Sequence, residues 1–393
     1  MREVCRETSS EFARCVAEID AGLLDFPLPG NGRTSDRFAA LTRVAERDLS
    51  LVRLVEGHVD AVAILAELEG PAVRPGERWG VWAAEPPGQG LTATRGEHGW
   101  VINGLKRYCS GAHSCTHALV TAKAEDGRRL FAVATGAGVG AGAGAGAGMG
   151  AGADSGARAN AGADTSANAG AGTGTDAGGG DASAGADAGG GTGADAGAGQ
   201  GGAGSRVGAC RPVEGTWQAL GMAASDSADV TFTDVPAVPV GGVEAYVNRP
   251  GFQHGGIGVA ACWYGGARAV ARVLAETAGR RGADPLTDAH LGAVDMRLHA
   301  AGAVLSQAAA EIDRDPADEE GMARLRSLRV RGFVESVCAD VLAHVGRATG
   351  AEPLCHNPSH TRCATDLTVY IRQHHGERNL AELGRLIAEA GQK

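Results

Sequence analysis

The chain has 393 residues and a formal net charge of −10, from 36 Lys and Arg against 46 Asp and Glu. That balance excludes a broad basic surface for nucleic acid as its main feature. Its 63 glycines are unevenly spread: residues 136–204 hold 27 Gly and 23 Ala in 69 positions, which leaves 324 residues, ample for a large core.

The N-terminus, MREVCRETSSEFARCVAEID, mixes charges and lacks the apolar stretch of a secretory signal. No run of about 18 apolar residues follows it, so no membrane helix is expected. Nine cysteines, an odd number without framework spacing, read as reduced thiols of a cytoplasmic protein.

Residues 10–26 and 36–70 read as helices. In the second, Phe38, Leu41, Val44, Leu51, Val52, Val55, Val59, Val62 and Leu65 mostly recur at intervals of three or four, and Gly70-Pro71 stops the pattern. From Trp79 the rhythm changes to short strands: WGVWAA, GWVINGLKRYCS, HALVTAKA and RRLFAVAT, then SADVTFTDVPAV beyond residue 204. Residues 258–279, 286–313, 321–347 and 366–390 each suit a long helix. These patterns divide the chain into an N-terminal helical region (1–78), a middle β domain (79–256) and a C-terminal helical bundle (257–393).

The Gly/Ala segment has only Val139 and Met149 as larger apolar residues, too few to offset the entropy of ordering it. It is expected to be a disordered insert between two strands, and codon-repeat expansion accounts for it without a function.

Three motifs carry a resemblance to a known family. WAAEPPGQG (Trp82 to Gly90), GWVINGLKRYCSGAHSCTHALVTA (Gly99 to Ala122) and WQALGMAASDSADVTFTDVPAV (Trp217 to Val238) occur in order between the helical segments. In this the chain resembles the acyl-CoA dehydrogenase superfamily of flavoproteins. The resemblance implies an α+β multidomain fold: an N-terminal helical region, a middle β-barrel-like domain and a C-terminal helical bundle. It also implies bound FAD, with Tyr108 against the flavin ring, Ser110 near its N5, and the backbone around Trp82, Ala83 and Ala84 lining the pyrimidine side. Departures are clear. The family's Thr before Glu-Pro is Ala84, its Gly-Ser is Gln89-Gly90, and its Arg-x-x-Phe-Gly motif is reduced to GRRGADPL, which leaves Arg280 or Arg281 to reach a pyrophosphate.

The family removes an α-proton with a glutamate, a role that requires a carboxylate poised over the substrate. Counting from Asp366 places His374 at that position and Glu377 one helical turn beyond, so these two are the candidate catalytic residues. A base on another helix, Glu335 or Asp340, stays open. The expected reaction is oxidation of an acyl thioester, an acyl-CoA or related small carbonyl compound, by a homodimer or homotetramer. A flavin monooxygenase of the same superfamily is the second reading, because such enzymes also lack the glutamate and carry histidine-rich C-terminal segments. A degenerate scaffold is the third. Cys355, His356, His360 and Cys363 lie close enough in sequence for a zinc site, but their spacing matches no familiar finger and no metal is assigned.

Overall fold

Asp48 divides the periodic segment 36–70 in two. In the computed structural model, which describes residues 2–86, 90–136, 208–282 and 284–391, Asp48 is extended (φ −161°, ψ 120°) and its carboxylate accepts from Leu51 N at 2.9 Å. That N-cap separates α2 (Thr34–Arg47) from α3 (Leu49–Glu67), both preceded by α1 (Arg2–Asp20). Helical periodicity alone runs straight through such a break, because the apolar faces of α2 and α3 stay in phase.

Among the described residues the β module has seven strands: β1 (Trp79–Trp82), β2 (Leu91–Gly96), β3 (Gly99–Cys109), β4 (His117–Ala124), β5 (Gly127–Ala134), β6 (Ala209–Val213) and β7 (Ala228–Val240). Pairing runs β4–β2–β3–β7–β5 and returns from β5 to β4, so the sheet closes as a barrel, with β1 on β4 and β6 on β7. Two of these strands, β2 and β6, give little sequence signal. β2 alternates only Leu91 and Ala93 inward, and the edge strand β6 contains Pro212. The insert beyond Gly136 and the position Gln89 lie outside the described residues.

Among the described residues five helices and two short ones follow: α4 (Ala245–Asn248), α5 (Pro250–Arg281), α6 (Pro285–Arg314), α7 (Ala323–Thr349), α8 (Glu352–His356), α9 (Pro358–Tyr370) and α10 (Glu377–Ala390). α5 begins at Pro250, with proline in its first turn, so the expected division at 256/257 falls inside it. The expected single helix 366–390 is interrupted. A short 3-10 turn ends at Gln373, His374 is extended (φ −81°, ψ 126°), and Gly376 takes φ +45° before α10 starts. Glu377 therefore opens a new helix instead of lying one turn beyond His374.

One large core joins helices and barrel. Val52 and Val55 of α3, Ile102 of β3, Phe131 of β5, and Trp263 of α5 are all fully buried within it. Each such side chain contributes about 1.5–3 kcal/mol of transfer free energy. α5 runs close to α2 because Gly265 lacks a side chain: a Cβ there would lie 2.5 Å from Thr42 O.

Candidate functional site

The site begins at an irregularity in β3. Lys106 pairs with Val230 and Cys109 with Ala228, so β3 carries one extra residue across that interval. The bulge holds Tyr108 at φ +60°, a left-handed conformation that costs a bulky L-residue about 1–3 kcal/mol. Its effect is to turn the ring outward: Tyr108 is 55% exposed, while its neighbours Lys106 and Cys109 are buried. The Tyr108 N–H donates to Asp229 Oδ1 at 3.3 Å, which fixes the bulge to β7.

Two residues on, Ser110 ends a chain of hydroxyls. Ser225 Oγ donates to the Met222 carbonyl at 2.7 Å, Ser227 Oγ is 2.8 Å from Ser225 Oγ, and Ser110 Oγ is 3.1 Å from Ser227 Oγ. Each hydroxyl has one proton, and a carbonyl can only accept. The proton of Ser225 is thus committed to Met222, that of Ser227 to Ser225, and that of Ser110 to Ser227. Among the described residues no group donates to the half-buried Ser110 Oγ, so its lone pairs are available there.

Asp366 docks this segment onto the helices. Its carboxylate accepts from Met222 N at 2.5 Å and from Ser50 Oγ at 3.2 Å, and burial pushes its pKa up. The loop comes this close to α9 only because residue 221 is glycine: a Cβ there would meet Thr365 O at 2.4 Å.

A belt of buried charge leads from the β module to His374. On α3, Arg53 and Glu56 form an ion pair with side-chain exposures of 16% and 7%. A Cβ on Gly57 would lie 3.7 Å from Arg53 Nη1 and 4.0 Å from Val81 N, which puts the pair beneath β1. Burial pushes the Glu56 carboxyl up, against the pull of Arg53. Arg331 of α7 stacks on Trp263, 4.7 Å from the ring centroid, within electrostatic reach of Tyr370 and Glu56. Burial brings its pKa down to about 10. Arg331 also donates to the carbonyl of Gln373 at 3.5 Å, immediately before His374.

His374 is buried, and its pKa is lowered by burial first and then by Arg331, His375 and Arg372. The neutral imidazole has the Asn379 side-chain amide nitrogen 3.2 Å from Nδ1. An amide NH2 only donates, so Nδ1 accepts and the ring proton resides on Nε2. Nε2 faces Gly332 of α7, where a Cβ would stand 3.5 Å away.

The remaining residues singled out from sequence are placed differently. Trp82 is a core side chain, 2% exposed, whose indole N–H donates to the Ser110 carbonyl at 2.9 Å, so its ring is no ligand wall. Ala84 is exposed just past β1. Glu377 is exposed in the first turn of α10. Arg280 is exposed near the end of α5 and donates to Thr277 on its own helix at 3.3 Å. It lies 30 residues from Pro250, about 45 Å along the helix. The side chain of Arg281 lies outside the described residues. Among the described residues no group of three or more His, Cys, Asp and Glu is arranged to hold a metal ion, and Cys355 is exposed on α8. Sequence reading missed Ser227, Arg53, Glu56 and Arg331. Charged residues at 53 and 56 within an otherwise apolar helical stripe were the available signal for two of them.

The pieces fit a flavin. An outward aromatic ring at Tyr108, the Ser110 hydroxyl and the exposed Ala84 offer a planar ring both a wall and polar partners. No family model matches the sequence, and no curated protein is significantly similar to it. Solved structures do match. Dibenzothiophene monooxygenase TdsC from Paenibacillus sp. A11-2 aligns over 99% of this chain and 97% of its own, with TM-score 0.65 and 16% identity. KijD3, solved with FMN and a dTDP-sugar, aligns over 91% and 80%, with TM-score 0.63 and 15% identity. Butyryl-CoA dehydrogenase from Megasphaera elsdenii aligns over 90% and 82%, with TM-score 0.62 and 14% identity. The fold is that of the acyl-CoA dehydrogenase-like flavoproteins. Within this fold the helices–barrel–helices order of the chain is accounted for, and no helix among the described residues is long and apolar enough to cross a membrane.

Proposed function

We propose that this chain is a flavin-dependent oxidoreductase acting on a small organic substrate, with FAD or FMN as its cofactor. The observation that carries this reading is the bulge that holds Tyr108 outward at a left-handed backbone, two residues from the lone pairs of Ser110. Strain of that kind persists where function uses the displayed side chain. A bound flavin supplies the two-electron redox chemistry that these side chains lack. Tyr108 covers part of the ring, Ser110 accepts a hydrogen bond at its edge, and the chain at exposed Ala84 serves the pyrimidine side. Arg280, remote within its own chain, suits a phosphate on a second subunit, in keeping with a homodimer or homotetramer.

The substrate side favours the monooxygenase reading over acyl-thioester dehydrogenation. A proton-abstracting base needs a free lone pair over the substrate. Glu377 is exposed in the first turn of α10, and the lone pair of His374 Nδ1 is taken by Asn379. His374 therefore donates a hydrogen bond from Nε2, a role suited to steadying an oxygen atom. Rapid reoxidation by oxygen of the reduced, flavin-loaded protein supports this reading, and slow reoxidation with turnover of acyl-CoA supports the dehydrogenase.

Tyr108→Gly separates function from stability. Glycine relieves the positive φ, so the flavin-free variant should unfold at higher urea, by about 1 kcal/mol. Loss of the ring should weaken FMN and FAD binding about tenfold. Unchanged flavin affinity in this variant contradicts the role given to Tyr108.

A further inference from the structure

The loop that carries Ser110 is fastened by a side chain that the flavin reading leaves unused. His113 Nδ1 lies 2.7 Å from Asp226 Oδ1, and the His113 backbone N–H donates to Asp226 Oδ2 at 2.9 Å. Ser114 Oγ donates to the same carboxylate oxygen at 3.0 Å. Asp226 itself is held at φ +51°, between Ser225 and Ser227 of the hydroxyl chain. On either side of it, Gly111 N donates to the Ser225 carbonyl and Ala112 N to the Asp226 carbonyl, both at 2.9 Å. Segments 110–115 and 222–227 are thus zipped together, and the relay that orients Ser110 crosses the seam.

We propose that His113 is a positioning residue for Ser110: paired with Asp226, it clamps the two segments and so holds the hydroxyl relay in the register that flavin binding needs. This rests on the flavin reading of the site. His113 touches no part of the relay directly and acts through Asp226, whose side chain is only 9% exposed while His113 is 50% exposed.

The clamp is charge-dependent. The groups facing His113 are Asp226 and, from the turn after β6, Glu214, whose Oε1 is 3.6 Å from Nε2. Around the seam, Arg78 donates to the Ser114 carbonyl at 2.8 Å, and the Cys5 thiol of α1 donates to the Ala223 carbonyl at 3.2 Å. The Asp226 hydrogen bond, aided by the charges of Asp226 and Glu214, raises the His113 pKa above its ordinary value against the cost of burial. A raised folded value means that the clamp is at full strength below the ordinary histidine range and weakens as pH climbs through the raised value.

The test is titration of the full-length protein with FMN and with FAD between about pH 6 and about pH 9, for wild type, His113→Gln and His113→Lys. Wild type should lose roughly tenfold in flavin affinity across that range, whereas His113→Gln should bind weakly at every pH with a flat profile. His113→Lys, which stays charged, should bind at pH 9 more tightly than wild type. A flat wild-type profile, or His113→Gln binding as tightly as wild type at pH 6, overturns the clamp while leaving the flavin site intact. If wild type binds neither flavin even at pH 6, the flavin reading fails and the clamp's proposed purpose with it.

Discussion

Glu56→Ala is expected to lower folding stability by on the order of 3–5 kcal/mol, the largest effect of any single substitution considered for this chain. Glu56 is buried, its side chain 7% exposed, and is the ion-pair partner of Arg53. Removing it leaves a buried guanidinium near Tyr370 without its ion-pair partner, and Arg331, also within reach of Glu56, loses a compensating charge. The cost is therefore that of stranding a buried charge, well above the net worth of the pair. Replacing both partners by apolar residues of similar volume, Arg53→Met with Glu56→Leu, should be close to neutral. Urea unfolding of the three proteins measures the difference. A loss below about 1 kcal/mol for the single variant would show that water reaches Arg53 and that the belt is not dry.

Asp366→Ala should cost about 2–4 kcal/mol by a different route. Here two donors, the Met222 N–H and the Ser50 hydroxyl, lose their acceptor in a place where water cannot replace it. The same change releases the 222–227 loop from α9, so flavin affinity should fall together with stability. The pH dependence has a definite sign. Burial raises the folded pKa of Asp366 above its unfolded value, so the folded state binds the proton more readily. Stability from this group therefore increases as pH falls from above the raised value toward the ordinary carboxylate range, and Asp366→Asn should remove that increase. A wild-type stability that drops through the same interval, with Asn matching it, would contradict this assignment once other carboxylates are accounted for by the variant itself.

Much of the barrel and its flanking helices was legible in the sequence, because alternation and helical spacing are direct consequences of burying one face. What stayed hidden were features set by single backbone angles. Motif likeness singles out Tyr108 and Ser110 as candidates, yet nothing in KRYCSGA announces that residue 108 takes a left-handed φ and turns its ring outward. The break before α10 depends on Gly376 and on an extended His374, and a helical pattern that continues through LAELGRLIAEA masks it. That break separates Glu377, exposed at the start of α10, from the buried His374. The relay Ser225–Ser227–Ser110 joins residues more than a hundred positions apart, a pairing that only the β3–β7 register creates. Trp82, whose backbone the resemblance places beside the flavin, keeps its ring in the core at the end of β1, where the indole N–H donates to the Ser110 carbonyl.

The most direct measurement is the visible absorbance spectrum of the purified, natively folded protein, taken as isolated and again after incubation with FMN and FAD. The paired visible bands of an oxidised flavin, travelling with the protein through gel filtration and weakened by Tyr108→Gly, are the predicted result. A folded protein that stays colourless and takes up neither flavin would contradict the central claim, and would leave the fold serving as a scaffold without its cofactor.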